Sequence, residues 1–283
     1  MNSTLIDLQD KLPKGLVDVY KQVQTAASSL QLEIVVVGAM ARDLVLVHGF
    51  GARLERGTRD IDFAVQVRNW EAFEKLTDVL IANGFEKSKK IAHRLYLQNE
   101  ESGRWEVDIV PCGQVADEAS NIQWPPDGAI EMSTLGFDEA FENAFSVKMG
   151  SDLESFEIKV ASPEVMCILK LISWLERDPI VRTKDALDLR YIMSSYCKIP
   201  VALDRMYDEG DMESQEWDES RASARILGRD AAKRLKKQTF EHLQSLLFTQ
   251  PIKLNLLWAE MSPNFQEIDY ENSELKVFID ALS

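Results

Sequence analysis

Three carboxylates carry the chemistry that this sequence offers. Asp60 and Asp62 stand two apart in Thr58-Arg59-Asp60-Ile61-Asp62-Phe63-Ala64-Val65, and Asp108 sits in Trp105-Glu106-Val107-Asp108-Ile109-Val110. Residues two apart on a strand share a face, so Asp60 and Asp62 project together while Ile61 and Phe63 turn to the core. Asp108, flanked by Val107 and Ile109, belongs to a second apolar run of the same kind. Two same-face carboxylates joined by a third from another strand make a hard, oxygen-rich set suited to Mg²⁺ or Mn²⁺. A pair of such ions activates an attacking oxygen and holds a leaving phosphate in an in-line displacement. Three acids in half-buried strands are costly without a cation or hydrogen-bonding partners, which favours a metal site over an exposed sheet face. The expected chemistry is metal-dependent nucleotidyl transfer from an NTP such as ATP.

Other residues are spaced to serve the phosphates. The apolar run Ile34-Val35-Val36-Val37 ends at Gly38-Ala39, and a helix carrying Arg42 and Asp43 follows. Gly38 gives the turn backbone freedom and lets main-chain N–H groups approach a phosphate at the start of that helix. Arg42 lies one turn into the helix and is spaced to grip a phosphate bidentately. Arg59 directly precedes the acid strand and is suited to a triphosphate or to a carboxylate. Lys170 interrupts Met166-Cys167-Ile168-Leu169-Lys170-Leu171-Ile172, where a lysine ordinarily snorkels to solvent. Asp185 and Asp188 are three apart and share a helix face, with Asp188 read as a cap or as a partner of Arg190 or Arg182.

Together these motifs resemble the polymerase-β-type nucleotidyltransferase superfamily, and more closely the AbiEii/AbiGii-like nucleotidyltransferase toxin family. The likeness rests on Gly38-Ala39-Met40-Ala41-Arg42-Asp43, on Thr58–Phe63, on Val107-Asp108-Ile109-Val110-Pro111, on Leu169-Lys170-Leu171 and on Lys184-Asp185-Ala186-Leu187-Asp188-Leu189. It spans roughly Glu33 to Met193. The resemblance implies that Asp60, Asp62 and Asp108 bind the metals, Asp108 doubling as a candidate base. It further implies that Gly38, Ala39, Arg42, Arg59 and Lys170 meet the nucleotide, with Lys170 as a point charge for the β- or γ-phosphate. Asp185 resembles the family's distal acid, which orients an acceptor or acts as a base. A toxin–antitoxin context also follows from the resemblance, with RNA (a tRNA acceptor end) or protein as acceptor and a separate antitoxin as partner. Ala39 departs from the pattern, which has Gly or Ser there, so one hydroxyl contact to a triphosphate is missing. Two rivals share these residues: a small-molecule nucleotidyltransferase of the antibiotic-modifying kind, and an inactive nucleotide-binding or sensing protein.

The elements that must position these groups read as α/β. The expected fold is a nucleotidyltransferase-like mixed sheet flanked by helices in residues 1–161. A mostly helical half, residues 162–283, is expected to close one side of the cleft. Helix Leu16–Leu32, strand Glu33–Val37, helix Met40–Val47, strand Asp60–Val67 and a helix from the Asn69 cap to Gly84 follow from period and punctuation. Strands His93–Gln98 and Trp105–Pro111 flank the polar turn Asn99-Glu100-Glu101-Ser102-Gly103. Gln123–Pro126 reads as loop, with Trp124 as its anchor, and Phe156–Val160 as strand. Ser162-Pro163-Glu164 starts a helix, and Val165–Glu176, Lys184–Tyr196, Ser220–Leu247 and Asn272–Leu282 continue as helices.

Composition narrows the partners. At 283 residues the chain can bury a sizeable core. The opening MNSTLIDLQDKLPKG has no signal-peptide pattern and no run is long enough to span a bilayer, which fits a cytoplasmic protein without a membrane partner. Cys112, Cys167 and Cys197 are too few and scattered for a disulfide framework or a zinc site. The net charge of −15 opposes a broad electrostatic surface for nucleic acid, and DNA is not expected. The acidic segment Tyr207–Glu219 reads as a mobile connection. The row Arg221, Arg225, Arg229, Lys233 and Lys237, each one i,i+4 step from the last, reads as a helix face paired with those acids, or as a polyanion contact.

Overall fold

The computed structural model describes residues 5–99, 102–125, 128–262 and 269–283. Glu100, Glu101 and Pro126, read above as turn and loop, lie outside the described residues. The chain divides into two compact units, Met1–Gly49 with Leu54–Ala161, and Phe50–Arg53 with Ser162–Ser283.

The first unit is built on a mixed sheet. Its elements are β1 (Leu5–Asp7), α1 (Lys14–Ser29), β2 (Ile34–Val37), α2 (Gly38–Arg42), β3 (Asp60–Val67), α3 (Trp70–Ala82), β4 (Phe85–Lys87), β5 (Arg94–Asn99), β6 (Gly103–Gly113), β7 (Asn121–Gln123), β8 (Glu131–Ser133), α4 (Phe137–Glu142), β9 (Phe145–Gly150) and β10 (Ser155–Val160). The described strands pair in the order β1-β9-β10-β2-β3-β6-β5-β4, while β7 and β8 form a separate pair. β3 and β6 run parallel near the middle, β2 lies antiparallel to β3, and β5 antiparallel to β6. β2 is buried along its whole length, as its uninterrupted Ile-Val-Val-Val predicts for a central strand. α1 buries Val19, Tyr20, Val23 and Ala27 at helical spacing, and α3 buries Phe73, Leu76 and Leu80. The Asn69 side chain accepts from Ala72 N and caps α3, and Gly84, at φ +94°, follows its end.

Two expectations change here. The helix after Gly38 begins at Gly38 itself, and from Asp43 it widens into a π-helical stretch, Asp43–Gly49. Gln123 closes β7 rather than opening a loop, because it pairs with Glu131 of β8. Trp124 does anchor this region: it is 3% exposed and packs against Trp70 and Phe73.

The second unit is helical: α5 (Pro163–Glu176), α6 (Pro179–Ser195), α7 (Pro200–Asp208), α8 (Asp211–Ser214), α9 (Glu219–Ala232), α10 (Lys237–Leu243), α11 (Pro251–Met261) and α12 (Glu274–Leu282). α5, α6 and α9 pack on one another and α12 packs on α9. Their core includes Ile168, Leu171, Trp174, Leu189, Ile192, Leu227 and Phe278. Segment 50–53 is tied to this unit by the Tyr191 hydroxyl, which donates to Arg53 O at 2.8 Å. Ser162 holds the cap position of α5 with no side-chain cap bond, so Pro163 at the first turn carries that helix start. Among the described residues no helix is long and apolar enough to cross a membrane.

The acidic segment is ordered rather than a mobile connection, and the basic row pairs with it in part as expected. Residues 207–219 are largely helical, and Asp211 is fully buried. Asp211 accepts from both Arg225 and Arg229, and Arg229 also pairs with Glu209. The expected helix Ser220–Leu247 ends at Ala232 and restarts at Lys237, so the row of cations is not one stripe. Arg225 and Arg229 thus serve the interior of this unit. Replacing Asp211 with Ala should cost about 2–3 kcal/mol, below the full penalty for a broken buried pair because both arginines can regain water. Urea denaturation measures it, and an unchanged midpoint would reduce these pairs to surface decoration.

A carboxylate face beside a glycine turn

The period-2 geometry of β3 puts Asp60 and Asp62 on one half-buried face while Ile61 and Phe63 are fully buried on the other. The parallel register sets Asp60 beside Glu106 and Asp62 beside Asp108. Four carboxylates therefore share one face of two neighbouring strands. β5 adds Arg94 to the row, opposite Asp108. Arg94 Nε and Nη2 donate to the two oxygens of Asp108 at 2.7 and 2.8 Å, and Nη1 pairs with Glu106. The bond to Asp108 and the fields of Glu106 and Asp60 hold the Arg94 guanidinium well above its usual range, so its charge is permanent. His93 Nε2 lies 3.7 Å from Asp108 Oδ2, and its ring packs on Trp124.

Gly38 fits against this face. Its φ is +73°, and a Cβ built there would run into Asp62 Oδ2. A glycine is thus required twice, by the backbone and by the carboxylate that lies on it. Tyr20 approaches from α1: its ring meets Phe63 edge-on at 5.9 Å. Burial, then the charges of Asp43 and Asp62, push its phenol pKa up. Among the described residues its buried hydroxyl has no hydrogen-bond partner.

Of the two arginines expected at a phosphate, Arg42 is buried and Arg59 is exposed. Arg42 is 3% exposed, and its Nε and Nη2 lie 2.8 and 2.6 Å from Asp43 Oδ1, while Nη2 also donates to Arg56 O at 3.0 Å. Its guanidinium is thus taken up by the adjacent Asp43 carboxylate and the Arg56 carbonyl. Arg59 is exposed, with its guanidinium beside Gly103 at the start of β6. Ala39 is half-buried in the first turn after β2.

Lys170 and Asp185 belong to the second unit, where they meet each other. Lys170 does not snorkel: it is 9% exposed, and its ammonium donates to Asp185 Oδ1 at 3.0 Å and Asp188 Oδ2 at 2.7 Å. Arg177 reaches Asp185 Oδ2 at 2.7 Å. The Asp188 pairing expected with Arg182 or Arg190 is replaced by Lys170, since Arg182 is bound to Glu260 and Arg190 to Met261 O.

Do the carboxylates suit a divalent cation? The donor set is all oxygen and the face carries four acids against one arginine, the chemistry a hard cation meets. Among the described residues no group of three His, Cys, Asp or Glu side chains stands at ligating geometry. Both oxygens of Asp108 are engaged by Arg94, while Asp60 and Asp62 share the half-buried face of β3. Arg94 and Glu106 are the residues that the sequence reading passed over. The repeat of Asp-x-Asp spacing in Glu106-Val107-Asp108, and a lone arginine in an apolar strand, were the available signals.

Residues 23–269 match the family described as nucleotidyl transferase AbiEii toxin, type IV TA system. No curated protein matches the chain significantly. Among solved structures, the antibiotic-resistance factor ANT(2'')-Ia aligns at 16% identity and TM-score 0.37, over 72% of this chain and all (100%) of its own. An antigenic nucleotidyltransferase-like protein from Paracoccidioides brasiliensis aligns at 14% identity and TM-score 0.39, over 75% of this chain and 94% of its own. The Thermotoga maritima CCA-adding enzyme complexed with tRNA aligns at 12% identity and TM-score 0.26, over 97% and 80%.

The close fit at Gly38 gives a direct test. Gly38→Ala should lose about 1–2 kcal/mol from the left-handed backbone alone, before Asp62 is displaced. Thermal denaturation reads the loss, and a native Tm would mean that the turn adopts another conformation at no cost.

Proposed function

The chain belongs to the nucleotidyl transferase AbiEii toxin family, and from that premise we propose that it is a Mg²⁺-dependent enzyme moving NMP from an NTP onto RNA or protein. The observation that carries this reading is the register match of Asp62 with Asp108, with Asp60 on the same face and Gly38 packed on Asp62. Asp60 and Asp62 are assigned as metal ligands and Asp108 as the third. A divalent cation bound by these carboxylates neutralises phosphate charge and favours in-line displacement.

In the proposed reaction an acceptor hydroxyl attacks the α-phosphorus, the bond to the bridging oxygen breaks, and pyrophosphate leaves with that electron pair. The acceptor proton passes to water. Backbone N–H groups of the Gly38-Ala39 turn and the exposed Arg59 are assigned to the triphosphate, which needs no Ser hydroxyl at position 39. Arg42, committed to Asp43, is assigned to shaping the turn. Lys170 is assigned to phosphate charge, and Asp185 to positioning it, because Asp185 spans Lys170 and Arg177. Family membership supports a toxin role balanced by a separate antitoxin. NTP and RNA as substrates fit a cytoplasmic site of action.

Incubation with each α-labelled NTP, Mg²⁺ and either total RNA, cell protein or small hydroxyl compounds tests this directly. Label should enter RNA or protein, and Asp60→Asn or Asp62→Asn should reduce it on the order of 10²-fold or more with the fold intact. Label in small hydroxyl compounds alone would assign an antibiotic-type reaction instead, and no Mg²⁺-dependent label in any class would overturn the reading.

Lys170→Ala should lower both turnover and stability more than Lys184→Ala, because it leaves Asp185 and Asp188 buried without their cation, whereas Lys184 is exposed. Paired melting curves and NTP titrations measure this. Equal, small effects would remove Lys170 from the site.

A further inference from the structure

Arg94 raises a question that the assignment of three metal ligands does not answer. A carboxylate gripped on both oxygens by one guanidinium is already compensated, and Asp108 is so gripped. The grip is firmly seated: Arg94 side-chain exposure is 19% and that of Asp108 is 9%. Glu106 holds a third nitrogen of the same guanidinium and stands beside Asp60 in the register. Arg94 therefore has a second anion to remain on when it leaves Asp108.

We propose that Arg94 is an internal competitor for the metal: its guanidinium occupies Asp108, and a divalent cation completes its ligand set only as Arg94 withdraws onto Glu106. The inference rests on the assignment of Asp60, Asp62 and Asp108 as metal ligands and adds a residue that sets how readily they are filled. The pair disfavours metal binding by the fraction of molecules in which it is closed. The apparent Kd equals the intrinsic Kd divided by the fraction that is open, so a pair closed in nine molecules of ten weakens binding about tenfold. Arg94 is thus a positioning residue. Its withdrawal also moves a permanent positive charge along the face from Asp108 toward Glu106.

The test is Mn²⁺ binding, read as free Mn²⁺ by electron paramagnetic resonance, with no substrate and no turnover. The proteins are wild type, Arg94→Met, Arg94→Lys, and Asp62→Asn in the wild-type and Arg94→Met backgrounds. Arg94→Met should bind Mn²⁺ at least about tenfold more tightly than wild type. Arg94→Lys, which keeps the charge but cannot engage both oxygens, should fall between them, and it carries the test where Arg94→Met does not fold. Asp62→Asn should weaken binding in both backgrounds. Equal or weaker binding by both Arg94 variants, with Asp62→Asn still weakening it, would overturn the competitor role and leave the metal assignment standing. Binding unaffected by Asp62→Asn, or absent from every protein, would overturn the metal assignment and the Arg94 proposal with it.

Discussion

Concentrated negative charge on a half-buried sheet face is the constraint from which the rest of the first unit follows. Asp60, Asp62, Glu106 and Asp108 occupy one face of two paired strands, where water can only partly solvate them. Such a cluster is stable only if cations or donors are built in beside it. Arg94 supplies the built-in cation. The opposite side of the same strands, Ile61, Phe63 and Val107, is fully buried, so the carboxylates cannot turn away from one another without breaking the core. Hydrophobic burial fixes the register, and the register fixes the chemistry.

The second unit solves a similar problem by pairing. Lys170 sits between Asp185 and Asp188, and Asp211 between Arg225 and Arg229. The Tyr196 hydroxyl lies 2.8 Å from Glu164 Oε1 and 3.0 Å from Asp230 Oδ2, with Arg205 closing on Asp230. Partners are shared in this unit too, Lys170 by two aspartates and the Tyr196 hydroxyl by Glu164 and Asp230. The first unit sets one arginine, Arg94, between Asp108 and Glu106 on a face that also carries Asp60 and Asp62.

What was legible in the sequence followed local period. β3 begins and ends where alternation and the flanking polar residues put it, at Asp60 and Val67. Gly38 was legible as a turn, although its tight fit against Asp62 was not, since that depends on how β2 pairs with β3. The strands β1, β4, β7 and β8 escaped because three residues hold too little alternation to stand out. Long-range ion pairing was invisible for a different reason. Asp211 looks like one more solvated acid in an acidic run, and only the return of α9 past α8 makes it a buried anchor. Arg94 looks like a strand edge residue until β5 is laid against β6.

That lesson bears on the acceptor. A run of cations at i,i+4 spacing in a chain of net charge −15 invites a nucleic-acid reading. Four of the five cations nevertheless divide among acids: Arg225 and Arg229 to Asp211, Lys233 to Asp230, and Lys237 to Glu241 on α10. A cavity of about 540 Å³ does open where Arg221, Arg225 and Arg229 meet Lys276, but Glu271 and Asp280 line it too. Mixed signs at that spacing cancel within a Debye length, so the cavity projects little field toward a polyanion. Counterion release requires cations that neutralise phosphate rather than neighbouring carboxylates. An RNA acceptor would therefore be recognised through a few short-range contacts near the transferred phosphate, with weak dependence on salt, and not through a broad basic surface.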